Sequence, residues 1–154
     1  MSNITIRPLE RGDLRFIEEL LDPVDLFPAS MLAPMAEPYL SESAPHHWLV
    51  AVMDRAIVGF AFAEPERMTE GTFNLLAIAV DAALQRTGIG QAIVHALEDR
   101  LRTIGGRVLL VETAGTGEFA GTRLFYIRQD FTEEARIRDF YSDGEDKAVF
   151  WKHL

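Results

Sequence analysis

The most restrictive feature of this chain is a change of hydrophobic period between residues 73 and 104. Phe73-Asn-Leu-Leu-Ala-Ile-Ala-Val80 is nearly apolar throughout. From Gly88 onward, Ile89, Ile93, Leu97, Leu101 and Ile104 recur at helical spacing, with Glu98, Asp99, Arg100 and Arg102 on other faces. A strand buried on both faces gives the first pattern and an amphipathic helix gives the second. Between them lies Gln85-Arg-Thr-Gly-Ile-Gly90. Glycines at such a handover either permit a sharp turn or let a ligand come close to the main chain. Free N–H groups in a helix's first turn attract anions, and Arg86 adds a cation beside them. A diphosphate suits such a loop, but spacing alone leaves both readings open.

Two well-known phosphate loops fit this segment poorly. A P-loop needs lysine and a hydroxyl residue at its end, and neither follows Gly90. The dinucleotide fingerprint needs a third glycine where Ile93 stands, and it opens the first βα unit rather than a mid-chain one.

The other elements assemble around this unit. Residues 3–9 alternate through Ile4 and Ile6 as a first strand. Residues 13–21 carry Leu14, Ile17, Leu20 and Leu21 at helical spacing, and Pro23 breaks the pattern. Residues 22–45 hold five of the seven prolines and predict one short helix between irregular pieces. His47–Met53 and residues 56–63 read as strands joined by a two-residue Asp54-Arg55 hairpin. Gly105-Gly106 ends the long helix, 107–112 form another buried strand, and 118–128 a further helix. Residues 134–141 and 147–152 alternate as two strands around Ser142-Asp-Gly-Glu-Asp146, whose Asp-Gly pair marks a hairpin. The order predicts one α/β domain over residues 1–154, with a mixed sheet and no repeat or linker.

Composition narrows the function classes. With 48% hydrophobic and 25% charged residues in 154, the chain reads as a globular domain with a real core. No apolar run approaches the ~18–20 residues of a membrane span, and the N-terminus lacks a secretory pattern. There is no cysteine, which excludes disulfides and thiolate metal sites and favours a cytoplasmic location. A net charge of −9 disfavours nucleic acid as the main partner, yet a local basic site can still hold one anionic ligand. His46-His47 has no carboxylate or cysteine at ligand spacing, so no metal is expected.

Gln85-x-x-Gly88-x-Gly90 followed by a helix resembles the acyl-coenzyme A loop of the GNAT superfamily of N-acetyltransferases. Phe125-Tyr-Ile-Arg-Gln-Asp-Phe131 is similar to that family's Leu/Phe-Tyr-x-x-x-Gly-Phe segment, with Asp130 in the place of glycine. The order of elements is similar too, so the resemblance covers essentially the whole chain. It implies an α/β (α+β) GNAT fold with a mixed, mostly antiparallel sheet flanked by helices and a V-shaped splay between the fourth and fifth strands. It also implies acetyl-CoA as co-substrate. Pantetheine would lie along the main chain of Ile78, Ala79 and Val80. The diphosphate would lie on the amides of Gln85, Arg86, Thr87, Gly88, Ile89, Gly90 and Gln91. Phe119 stands where many members carry an asparagine, and that contact is not carried over.

The chemistry the resemblance implies sets further requirements. A lysine-like amine has a pKa of ~10.4, so presenting it neutral at pH 7 costs about 4–5 kcal/mol. A base lowers that barrier, a proton donor assists the departing thiolate, and an N–H group polarises the carbonyl. Tyr126 is the candidate donor, and the backbone N–H of Ile78 or a neighbour the candidate polarising group. For the base, Asn74 occupies the position where many members have glutamate, which leaves Glu112, Glu64 or a water relay. Acceptor selection in this fold implicates Phe27, Met31, Met35, Tyr39 and residues near Tyr141. A small amine or a peptide are both open as acceptor, and a homodimer through the terminal strands is a common arrangement. The alternative is an acyl-CoA-binding sensor without turnover, motivated by Asn74 and Asp130.

Overall fold

The computed structural model of the protein describes residues 3–24 and 26–154. Its strands are β1 (Ile4–Pro8), β2 (His47–Met53), β3 (Ala56–Pro65), β4 (Thr72–Val80), β5 (Val108–Ala114), β6 (Thr132–Ser142) and β7 (Glu145–His153). Its α-helices are α1 (Leu14–Leu21), α2 (Leu32–Leu40), α3 (Ile89–Thr103) and α4 (Ala120–Arg128). The strands form one seven-stranded sheet in the order β1-β2-β3-β4-β5-β7-β6. Every neighbouring pair is antiparallel except β4 and β5. This is the mixed α/β architecture expected from the sequence.

Helices cover both faces. The stripe on α3 (Ile89, Ile93, Val94, Leu97, Leu101) packs on Leu49, Ala61, Leu75, Leu109, Val111 and Phe150. On the opposite face, Ile17, Leu20 and Leu21 of α1 and Leu32 and Ala36 of α2 pack on Trp48, Val50, Phe60 and Phe62. Each fully buried leucine or isoleucine contributes about 1.5–3 kcal/mol. An eight-residue helix such as α1 therefore owes its existence to that contact rather than to its own propensity.

Turns follow the local signals. Asp54 and Arg55 both take positive φ (50° and 68°), as a tight two-residue hairpin demands. Gly144 does the same at 81° between β6 and β7. Asp130 also lies in the left-handed region, at 68°, a form that glycine, asparagine and aspartate adopt more readily than other residues. The proline-rich segment forms the short helix α2 with Pro38 inside it. Among the described residues, no helix is long and apolar enough to cross a membrane.

Two irregularities in β4 shape the site. Phe62 pairs with Ala77 while its neighbour Ala63 pairs with Leu75, so Leu76 is an extra residue in a β-bulge. The bulge reverses the side-chain alternation. Phe73 and Leu75 lie on the α3 face before it, and Ile78 and Val80 lie there after it. The second irregularity is that β4 and β5 pair only from Thr72/Val108 to Leu75/Val111. Beyond that point β4 stays with β3 and β5 stays with β7, and the two strands part.

Candidate active site

The loop that follows β4 is built by two left-handed residues. Arg86 (φ 65°) and Gly88 (φ 91°) turn the chain so that α3 starts at Ile89 with Gly88 as its N-cap. A glycine cap has no side chain to bond the first N–H groups, and the first turn holds no acidic residue. The N–H groups of Ile89, Gly90 and Gln91 are therefore left for an external acceptor. Gly88 is required by conformation alone, since a Cβ there would meet nothing within 4 Å. Gly90 has another reason: its Cβ would lie 3.3 Å from the Phe125 ring. Among the described residues Arg86 has no ion-pair partner, and it is exposed. The Thr87 hydroxyl donates to the Leu84 carbonyl and closes the turn.

The splay exposes main chain. Asp81 N–H donates to the Val58 carbonyl (2.8 Å), which fixes the odd-numbered residues of this part of β4 as those bonded to β3. The N–H and C=O groups of Ile78 and Val80 then face the gap on the β5 side. The Val80 carbonyl accepts from Gln85 Nε2 at 3.5 Å, which agrees with that direction. Ala79 faces β3 and contributes packing.

At the vertex of the splay a polar row crosses the α1/α2 face of the sheet. Val111 points toward α3, so Glu112, the first residue of β5 beyond its last pair with β4, points to the opposite face. Asn74 is buried and donates Nδ2–H to Glu66 Oε1 (3.0 Å) and Glu112 Oε1 (3.1 Å). Glu112 Oε2 lies 2.7 Å from Lys147 Nζ, and Lys147 sits 4.0 Å from the centre of the Phe140 ring. Glu64 lies 3.2 Å from His46 Nε2, at the far side of Asn74. Burial, and then the charge of Glu112, raise the Tyr141 phenol above its ordinary range. The row thus joins Glu64, Glu112 and Asn74, named from the sequence, and Phe140, one of the residues near Tyr141 expected on the acceptor side, with Glu66 and Lys147, which sequence reasoning missed. A usable signal for Glu66 exists: it lies two residues past Glu64, on the same face by alternation.

Tyr126 lies on the other face. It is 4% exposed, with its ring among Phe125, Phe131 and Phe150. Burial pushes its phenol far above the usual tyrosine range, so it stays protonated at any working pH. Among the described residues its hydroxyl makes no hydrogen bond. The sheet therefore has a buried phenol in the core on its α3 side and a carboxylate row on its other face. Of the acceptor-side residues, Phe27 packs edge-on to Phe60, Met35 and Tyr39 support the α1/α2 core, and Met31 is 48% exposed.

Comparison with known proteins decides the family. The sequence pattern of the acetyltransferase (GNAT) family matches residues 14–131. The chain belongs to the GNAT acetyltransferase family. This GNAT protein is 25% identical to an uncharacterized N-acetyltransferase of Methanocaldococcus jannaschii, over 96% of this chain and 90% of that one. A GNAT-family protein of known structure from Desulfovibrio desulfuricans is 28% identical, with a TM-score of 0.89 over 98% of this chain and 99% of its own. An aminoglycoside 6′-N-acetyltransferase solved with coenzyme A shares the fold, with a TM-score of 0.77 at 16% identity over 97% and 96% of the two chains. The GNAT chain is accordingly an acyltransferase of the N-acetyltransferase family, and that family uses acetyl-CoA.

Proposed function

We propose that this GNAT protein, acting as one domain over residues 1–154, transfers an acetyl group from acetyl-CoA to a primary amine by direct attack in a ternary complex. The observation that carries the reading is the gap between β4 and β5, where the N–H of Ile78 and of Val80 face away from β3, with Tyr126 in the core on one side of the sheet and Glu112 on the other. The diphosphate rests on the amides of residues 85–91 with Arg86 beside it, and pantetheine runs along β4 to the vertex. The Ile78 N–H polarises the thioester carbonyl. The amine enters from the carboxylate side, and its nitrogen bonds to the carbonyl carbon as the C–S bond breaks. Glu112, directly or through water, takes the amine's proton, and Glu64 is the alternative acceptor. Tyr126 gives a proton to the sulfur. A thiol ordinarily has a pKa of ~8.5, well below that of a buried phenol, so the transfer is balanced only when the sulfur is desolvated as strongly as Tyr126.

Thiol release from acetyl-CoA across a panel of primary amines and peptides tests this. Tyr126→Phe is expected to lower kcat about 10²-fold or more while leaving coenzyme A affinity within about twofold. Binding of coenzyme A with no turnover on any amine would favour a sensor, and full activity in Tyr126→Phe would remove the tyrosine from the mechanism.

A further inference from the structure

The polar row at the splay vertex contains an unmet demand. Both Asn74 Nδ2 protons are committed, one to Glu66 and one to Glu112. Because carboxylates only accept, this fixes the orientation of the amide. Its Oδ1 is buried and has no donor among the described residues. An amide oxygen is left this way where a ligand or water completes it. The surroundings say what kind of donor is missing. Lys147, a primary ammonium, already lies against Glu112 (2.7 Å) and over the Phe140 ring (4.0 Å), a carboxylate edge plus an aromatic face. Phe140 reaches it because β6 bulges: Ile137 pairs with Lys147 and Ser142 with Glu145, leaving residues 138–141 opposite Asp146.

We propose that Glu66, Asn74, Glu112 and Phe140 form an ammonium subsite for the acceptor, and that Lys147 occupies part of it until the acceptor displaces it. An incoming primary ammonium has three N–H donors, which match Asn74 Oδ1, Glu66 and Glu112. The row holds two carboxylates, Glu66 and Glu112, against the one lysine, so it attracts a cation that can take the lysine's place. Phe140 and Tyr141 are 50% and 46% exposed beside the row and offer apolar contact to the group next to the amine. The acceptor class is therefore a primary ammonium on an apolar substituent. This rests on the amine-acceptor reading above.

The test needs no coenzyme A, so its failure is distinct from failure of acetyl-CoA binding. The free protein is titrated at pH 7 with n-hexylamine and with phenylalanine amide, following the Asn74 side-chain amide signal by NMR. Hexan-1-ol and hexyltrimethylammonium serve as comparators, lacking the charge or the N–H. A saturable shift with either primary amine, and none with the comparators, is expected. Hexylamine alone points to alkylamine or lysine-like acceptors, phenylalanine amide alone to an α-amino group. Lys147→Gln should tighten binding, and Glu66→Gln weaken it, each by about fivefold. The proposal is overturned if neither amine shifts the signal in the wild-type protein or Lys147→Gln, if the quaternary probe works as well, or if Lys147→Gln weakens binding. Should Lys147→Gln fail to fold, the wild-type titration alone decides.

Discussion

Asp13 shows how much one side chain can fix. It is 6% exposed, accepts two hydrogen bonds from Arg7 (2.8 and 2.9 Å) and caps the Glu10 N–H (2.8 Å), and so ties the end of β1 to the start of α1. The bond from Arg7 holds its carboxyl below the usual aspartate range despite burial. A folded-state pKa depressed in this way contributes stability that is present above the unfolded value and lost as pH falls through the folded one. Asp13→Asn should therefore lower stability by about 1.5–3 kcal/mol at pH 7, and the gap should narrow below about pH 4. Urea melts of both proteins at pH 7 and pH 3 check this, and a gap independent of pH would contradict it. At this scale a motif drew attention to Tyr126 and Arg86, which the structure sets in the α3-side core and in the turn before α3. The sequence concealed residues whose role depends on cross-strand register. Glu66 meets Glu112 only through Asn74, and Lys147 meets Glu112 only because β7 pairs with β5 in one register.

Elements were legible where the period was strong. The α3 stripe from Ile89 to Leu101, the hairpins at Asp54-Arg55 and Asp143-Gly144, and the order of strands followed from spacing and turn chemistry. Ile104, expected on the stripe, is instead the exposed helix C-cap, and Glu98, expected on another face, is buried against Lys152 (2.7 Å). The bulge at Leu76 did not follow from spacing, because a run that is apolar on both faces has no alternation for an extra residue to interrupt. The loop glycines also separate only in three dimensions: Gly88 answers a need for positive φ, Gly90 a contact with Phe125. Gly88→Ala, with open space around its Cβ, should lose only the left-handed penalty, about 1–2 kcal/mol, and keep coenzyme A binding within about threefold, because the helix amides stay free. Thermal melts with and without coenzyme A measure both quantities. Loss of binding in Gly88→Ala would mean that flexibility, not backbone direction, is what the loop requires.

The sheet is divided at one point. β4 stays with β3 and β5 stays with β7, so main chain of β4 lies open in the gap between them. That gap has the glycine loop at one end and a carboxylate row at the other, and the proposed reaction, with an anionic donor and a cationic acceptor, calls for both. The net charge of −9 gives no hint of it, because the arrangement is local. Binding of coenzyme A tests the account most directly. At about a hundredfold excess over its Kd, a ligand adds about 2.7 kcal/mol, or about 5–10 °C in melting temperature for a chain of this size. The wild-type protein should show that rise, and Gly88→Glu, which sets bulk and negative charge on the loop, should melt the same with and without coenzyme A. No rise in the wild-type protein at millimolar coenzyme A, or an equal rise in Gly88→Glu, would contradict the account.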